Sequence, residues 1–408
     1  MFNRCIRVGA AEFAQEYWGR APLLSRAADL PRDFTDLLSP VAVDELLGRR
    51  GVRTPFVRLA REGTVLERDR FARSAGFGAE VTDQVDSARV LAEFADGATI
   101  VLQGLHRLWP PIIDFVRGMV DDLGYPTQTN AYITPASGRG FDPHYDVHDV
   151  FVLQVSGRKR WRVHEPVHTD PLPNQPWTEH RATVSARAAQ DPVIDTVLAP
   201  GDALYLPRGW VHSAIAEGGT AIHLTVGVAP FTRYDIVHRV LTSLASTAEL
   251  RESLPLGLDL TDADEVAAQV RKTLPMIRGV LGESEVLAPA VAESIGSRFA
   301  ELTRPEAVRP LATVDAIASL TPDTVVRWRR GLLGSVQVDG DSVELRLPDK
   351  HIRFPAECGP ALEAIRQGGA VTARSLPSLD VEDGLVVLRR LLREAVVCVD
   401  DVGPNPRA

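Results

Sequence analysis

The sequence predicts an α+β protein built around an antiparallel double-sheet barrel, and three observations carry that prediction. Between residues 130 and 228 short apolar runs alternate with Gly, Pro and Asp turns, as two packed sheets require. After Pro230 the apolar period lengthens to about 3.6 residues, so amphipathic helices follow the barrel. From about Thr321 the pattern mixes, with an Asp339-Gly340 hairpin among helical stretches, the arrangement of a winged-helix-like domain. The resulting bounds are 1–232 for the barrel with an N-terminal helical extension, 233–310 for a helical module and 311–408 for the winged-helix-like domain.

Taking the elements in order, Phe13, Tyr17 and Trp18 share one helical face and read as packing, not as a pocket wall. Val41–Leu47 and Val90–Phe94 read as helices, and Phe56–Leu59 and Thr99–Leu102 as strands. Residues 51–75 are otherwise polar and arginine-rich. The next helix opens at Pro110-Pro111, places Ile112, Ile113, Val116, Met119, Val120 and Leu123 on one face, and stops at Gly124. Within the barrel, Glu165–Pro192 reads as a long mobile excursion facing a substrate. Beyond it, Tyr234–Leu250, Asp264–Ile277 and Val286–Leu302 are helical, with Pro255, Pro275, Pro289 and Pro305 expected to interrupt or bound them. In the tail, Val325–Trp328, Gly334–Val338 and Ala395–Val399 read as strands, and Cys358–Arg366 and Val386–Glu394 as helices.

Composition narrows the function. A chain of 408 residues has enough material for more than one core. Its net charge of −9 argues against a general electrostatic grip on nucleic acid or an anionic membrane, while suiting a basic partner. The tail, with 12 Lys+Arg against 13 Asp+Glu over 321–408, lacks the basic excess of a DNA-binding wing. Cys5, Cys358 and Cys398 are too few and too scattered for a disulfide framework or a zinc cluster, which fits a reducing cytoplasm. The N-terminus shows no signal-peptide pattern, and no run approaches the roughly 18 apolar residues of a membrane span.

The chemistry concentrates in G-F-D-P-H-Y-D-V-H-D-V-F-V-L-Q-V-S-G-R-K-R-W. His144 and Asp146 are two apart, so an extended chain projects both to one side. They supply two ligands of a 2-His-1-carboxylate facial triad, the non-haem Fe(II) arrangement with open coordination positions. His212, after the strand Ala203–Leu206 and the turn Pro207-Arg208-Gly209, is the candidate third ligand. Lys159 stands out because the chain has three lysines among 45 Lys+Arg. An ammonium there either grips one carboxylate of a diacid or belongs to a solvated basic turn. Other histidines have blander readings. His106 reads as a satisfied structural histidine, His223 as a buried, hydrogen-bonded one by default with a supporting role behind the metal ligands also open, and Pro143 argues against a helix that would pair His148 with His144. His164, His168 and His180 lack the cysteines and spacing of a zinc site.

The blocks N-A-Y-I-T-P, G-F-D-P-H-Y-D-V-H-D-V-F-V-L-Q-V-S-G-R-K-R-W, G-D-A-L-Y-L-P-R-G-W-V-H and A-I-H-L-T-V-G, in this order, resemble the core of the JmjC-domain ribosomal oxygenases over roughly residues 90–230. The resemblance implies a cupin-type double-stranded β-helix that binds Fe(II), uses 2-oxoglutarate and O₂ as co-substrates, and hydroxylates polypeptide side chains. It would place iron on His144, Asp146 and His212 and the 2-oxoglutarate C5 carboxylate on Lys159, with Asn130 and Tyr132 lining the same pocket. It implies a homodimer through residues 233–310 and a ribosomal protein as substrate, modified on histidine or arginine. The chain departs from the pattern at Gly227, where relatives often carry a hydroxyl residue. Two other readings compete: a hydroxylase tailoring a peptide natural product or tRNA, and a non-catalytic winged-helix regulator. The complete set of triad residues and the near-neutral tail disfavour the regulator.

Overall fold

The computed structural model describes residues 1–400 apart from 79, 137, 139, 140 and 283. The chain divides into two compact units, Met1–Pro230 and Phe231–Ala408.

The first unit contains β1 (Leu23–Ser25), α1 (Pro40–Arg49), β2 (Val57–Arg61), β3 (Thr64–Val65), α2 (Ser87–Ala95), β4 (Thr99–Leu102) and α3 (Pro110–Leu123). These are followed by β5 (Thr127–Thr134), β6 (Asp149–His164), α4 (Arg181–Ala188), β7 (Ile194–Leu198), β8 (Ala203–Leu206) and β9 (Val211–Val228). The nine strands form one antiparallel sheet in the order β1-β8-β6-β9-β5-β4-β2-β3, with β7 added alongside β6. Helix ends follow local chemistry. The Ser39 hydroxyl caps α1 by accepting from Ala42 N–H, the Asp86 carboxylate caps α2, and Gly124 ends α3 in the left-handed conformation.

The run Val150–Leu153 is buried on both faces, which explains why it is continuously apolar. One face, with Phe151 and Leu153, joins the core that holds Phe2, Phe13 and Tyr205, while Val150 and Val152 pack with Trp161, Leu204 and Leu206. Phe13 lies 4.8 Å from the Tyr205 ring, so the N-terminal aromatics are packing. Strands β6 and β9 pair in two stretches separated by a register shift. Gly157 sits at that break with φ +64, and a Cβ there would come within 2.2 Å of the Thr220 carbonyl oxygen.

The excursion Glu165–Pro192 differs from the loop expected. It contains a 3-10 turn at Trp177–His180 and the helix α4, held down because Val184 is buried with Tyr145 and Val211.

The second unit contains α5 (Arg233–Ser243), α6 (Ala263–Leu281), α7 (Ser284–Leu302), α8 (Pro310–Ala318), β10 (Val326–Trp328), β11 (Ser335–Asp339) and β12 (Ser342–Arg346). It continues with β13 (His351–Pro355), α9 (Gly359–Arg366), α10 (Val381–Arg393) and β14 (Val397–Val399). Pro275 and Pro289 lie inside α6 and α7 and do not end them. Each removes one backbone donor, and both helices, at 19 residues, keep most of their remaining hydrogen bonds. Helix α8 and strand β13 were not legible in the sequence. The sheet β11-β12-β13 packs Val343, Leu345, Ile352 and Phe354 into one core with Leu362, Ile365, Leu388 and Leu391 from α9 and α10. Among the described residues, no helix is long and apolar enough to cross a membrane.

Candidate metal centre

His144 lies just before β6, and His212 is the second residue of β9. Their backbones form an isolated antiparallel bridge: His144 N–H donates to the His212 carbonyl at 3.1 Å, and His212 N–H donates back at 2.8 Å. Directly opposed residues project to the same side, so two imidazoles far apart in sequence meet. The Asp146 carbonyl accepts from Gly209 N–H at 3.0 Å, tying the same segment to the turn before His212. One potential ligand atom from each of His144, Asp146 and His212 lies within 4.8 Å of the others, the one such cluster among the described residues. His212 Nε2 stands 3.8 Å from Asp146 Oδ2, and the two imidazole centroids are 4.5 Å apart.

Backbone carbonyls set the tautomers. His144 Nδ1 lies 2.7 Å from the Asp142 carbonyl and His212 Nδ1 3.0 Å from that of Trp210. A carbonyl only accepts, so each Nδ1 carries the proton and each Nε2 keeps its lone pair for a metal. Burial, reinforced by His144, pushes His212 down to about 4, so it is neutral at pH 7. Burial acts to raise the Asp146 carboxyl, but the His148, His144 and His212 imidazoles outweigh it and hold it below the usual range. A neutral imidazole and an ionised carboxylate are the forms that bind metal.

The cluster opens onto a cavity whose volume accessible to the centre of a water molecule is about 60 Å³, against roughly 10–15 Å³ for a single water. Lys159 lines it, 3% exposed, and no hydrogen bond or ion pair from the described residues reaches its ammonium. Burial alone pushes Lys159 down to about 7. Trp161 and His223 line the same space, and neither Trp161 Nε1 nor His223 Nδ1 has a partner among the described residues. His223 is therefore buried as expected but is not the fully hydrogen-bonded core histidine the sequence suggested. That difference exists only once folding has formed the cavity.

Tyr132 also faces the cavity and stacks on His223, with ring centroids 5.0 Å apart and planes at 4°. Burial, helped by Asp146 and opposed by Arg58, pushes its phenol up to about 12, so it remains an O–H donor. Asn130 sits two residues before Tyr132 on β5, but its Oδ1 accepts from Gly104 N–H at 3.0 Å and it is not among the residues lining the cavity. At Gly227 the absent side chain leaves room for His148: a Cβ there would meet His148 Cε1 at 3.0 Å. Thr225, two places earlier on β9, lines the cavity. Trp161 and Thr225 were missed, although Trp161 follows Lys159 by two residues and the alternation that paired His144 with Asp146 applied there too. Trp177, from the excursion, stands 6.1 Å from the His144 ring, a contact without a sequence signal. His106 Nδ1 accepts from Thr129 N–H, and His148 lies in a bend outside any helix.

Residues 113–236 match the JmjC domain. The chain is similar to the protein named bifunctional lysine-specific demethylase and histidyl-hydroxylase NO66 of Drosophila persimilis, at 36% identity over 162 residues covering 37% of this chain and 23% of that protein. Ribosomal oxygenase 1 of Rattus norvegicus is 34% identical over 167 residues, 39% of this chain and 27% of its own length. The chain thus spans about a quarter of these curated relatives. Among solved structures, the X-ray structure of E. coli ycfD aligns with TM-score 0.55 at 19% identity, covering 97% of this chain and 99% of that one. E. coli YcfD in complex with cobalt and 2-oxoglutarate aligns with TM-score 0.52 at 19% identity over 97% and 99%. These likenesses show a JmjC, cupin-type fold.

Proposed function

We propose that this chain is an Fe(II)- and 2-oxoglutarate-dependent oxygenase that hydroxylates a polypeptide side chain, with a ribosomal protein the favoured substrate. The observation that carries the reading is the His144–Asp146–His212 cluster opening onto a cavity that holds an unpartnered ammonium. The donor set suits Fe(II), since two neutral imidazoles and one carboxylate leave coordination positions for other ligands. The cavity suits a diacid: the Lys159 ammonium and the Trp161 Nε1–H are donors without an acceptor among the described residues. In the bound state the metal and co-substrate supply oxidative chemistry, converting 2-oxoglutarate and O₂ to succinate and CO₂ while one oxygen atom enters a substrate C–H bond.

The chain's own residues hold and orient. The Asp142 and Trp210 carbonyls fix the two ligand imidazoles, Lys159 neutralises the distal carboxylate, and the Tyr132 phenol donates from the cavity wall. The E. coli protein whose structure contains cobalt and 2-oxoglutarate, and the relatives named ribosomal oxygenase, support this reading. The net charge of −9 supports a basic partner such as a ribosomal protein.

The same proposal divides the chain at 1–232, 233–310 and 311–408 and makes it a homodimer through the middle segment, where α5 exposes Tyr234, Ile236, Val237 and Leu241. The three-stranded sheet with α9 and α10 supports a winged-helix-like final domain. The test is incubation with Fe(II), 2-oxoglutarate and dissociated ribosomal proteins beside a panel of free amino acids. Succinate together with a polypeptide gaining about 16 Da, the mass of one oxygen atom, is expected. A product confined to a free amino acid refutes the substrate class, and absence of succinate refutes the reaction.

A further inference from the structure

Strand β2 belongs to the face of the sheet that bears the metal centre. Arg58 pairs with Val101 on β4, and Val101 pairs with Tyr132 on β5, so the three lie in one row. Directly paired residues share a face, and Tyr132 faces the cavity, so Arg58 projects from the cavity side of the sheet.

The stretch from Arg53 to Arg73 holds six arginines. Five have an acidic partner within the fold: Arg53 has Asp83, Arg61 and Arg70 share Glu93, Arg68 has Asp69 and Arg73 has Asp86. Arg58 is the exception. No hydrogen bond or ion pair from the described residues reaches it, and its Nε is buried without a partner. Arg58 is half-buried, so its guanidinium keeps access to solvent while no carboxylate of the described residues holds it. The fold supplies carboxylates to its neighbours and none here, which leaves this guanidinium, on the cavity side of the sheet, available to a carboxylate from outside the chain.

We propose that Arg58 receives a carboxylate of the polypeptide substrate, an aspartate or glutamate at a fixed spacing from the residue presented to the metal centre. This rests on the polypeptide-hydroxylase reading and adds a sequence requirement to it. A planar fork of donors matches a carboxylate in two-point geometry. A phosphate backbone fits less well, because the neighbouring arginines are already paired with acidic groups and add little field to attract a polyanion.

The test uses the full chain, as parent, Arg58→Gln and Arg58→Glu, loaded with Mn(II) and 2-oxoglutarate without O₂ so that nothing turns over. Each is mixed with synthetic peptides carrying a central histidine or arginine and randomised flanks, and retained peptides are sequenced by mass spectrometry. The parent should enrich Asp or Glu at one flanking position by about tenfold or more. Arg58→Gln should lose that preference, and Arg58→Glu should replace it with Lys or Arg. A flat profile or no retention in the parent, an unchanged acidic preference in Arg58→Gln, or displacement of the peptides by single-stranded RNA from the parent alone each overturns the proposal. Because no internal partner is lost, Arg58→Gln should melt at or above the parent. A variant that fails to fold shows a structural arginine and overturns it as well. Succinate formation by the parent, measured separately, tests the underlying reaction and does not enter the peptide profile.

Discussion

Replacing Lys159 by methionine should strengthen the ligand-free fold and weaken co-substrate binding in the same protein. The side chain is 3% exposed, and burial alone takes its ammonium from 10.5 down to about 7. That depression corresponds to roughly 4–5 kcal/mol against the charged form near neutral pH. Methionine keeps the volume and removes the charge, so the metal-free variant should melt several degrees higher at pH 7. The sign is fixed by proton counts. Between about pH 7 and 10.5 the unfolded state binds more protons than the folded one, so parent stability rises with pH. The gap between parent and variant therefore narrows by about 1.4 kcal/mol per pH unit across that window and closes above it. Affinity moves the other way. Loss of a charge-assisted hydrogen bond to a carboxylate costs on the order of 1.5–3 kcal/mol, about 10- to 150-fold in the Kd for 2-oxoglutarate. Thermal melts from pH 7 to 10 and calorimetric titration of 2-oxoglutarate into Mn(II)-loaded protein measure both. A variant that is destabilised and binds 2-oxoglutarate as the parent does would place Lys159 in a structural role and remove it from the site.

Further expectations concern the metal, the barrel and the assembly. Asp146→Ala should reduce Fe(II) affinity at least about 100-fold, read by anaerobic calorimetry, because two imidazoles alone no longer define a facial site. Full succinate production by that variant would refute the ligand set. Gly157→Ala should cost about 3 kcal/mol or more in chemical denaturation, since its Cβ meets the Thr220 carbonyl oxygen at 2.2 Å and φ is +64. A change below about 0.5 kcal/mol would show that the β6–β9 break shifts freely. Light scattering should give twice the 44.5 kDa chain mass at micromolar concentration, and a value near 44.5 kDa would count against the helical segment as a dimer interface.

The sequence by itself determined what depends on near neighbours along the chain. The two-residue spacing of His144 and Asp146, the strand Thr99–Leu102, and the helix from Pro110 to Gly124 all follow from backbone period and from the backbone restrictions of proline and glycine. Tertiary structure decided what depends on partners brought from afar. His212 becomes the neighbour of His144 through a backbone bridge spanning 68 residues, which no local spacing encodes. Pro275 and Pro289 remain inside long helices despite the local rule that proline stops one. The largest gap lay in the arginine-rich stretch 51–75, where the residues all look alike in sequence. Folding brings carboxylates to five arginines and none to Arg58, because ion pairing is set by which strands and helices converge, and a residue's own identity does not report its desolvation or its counter-charge.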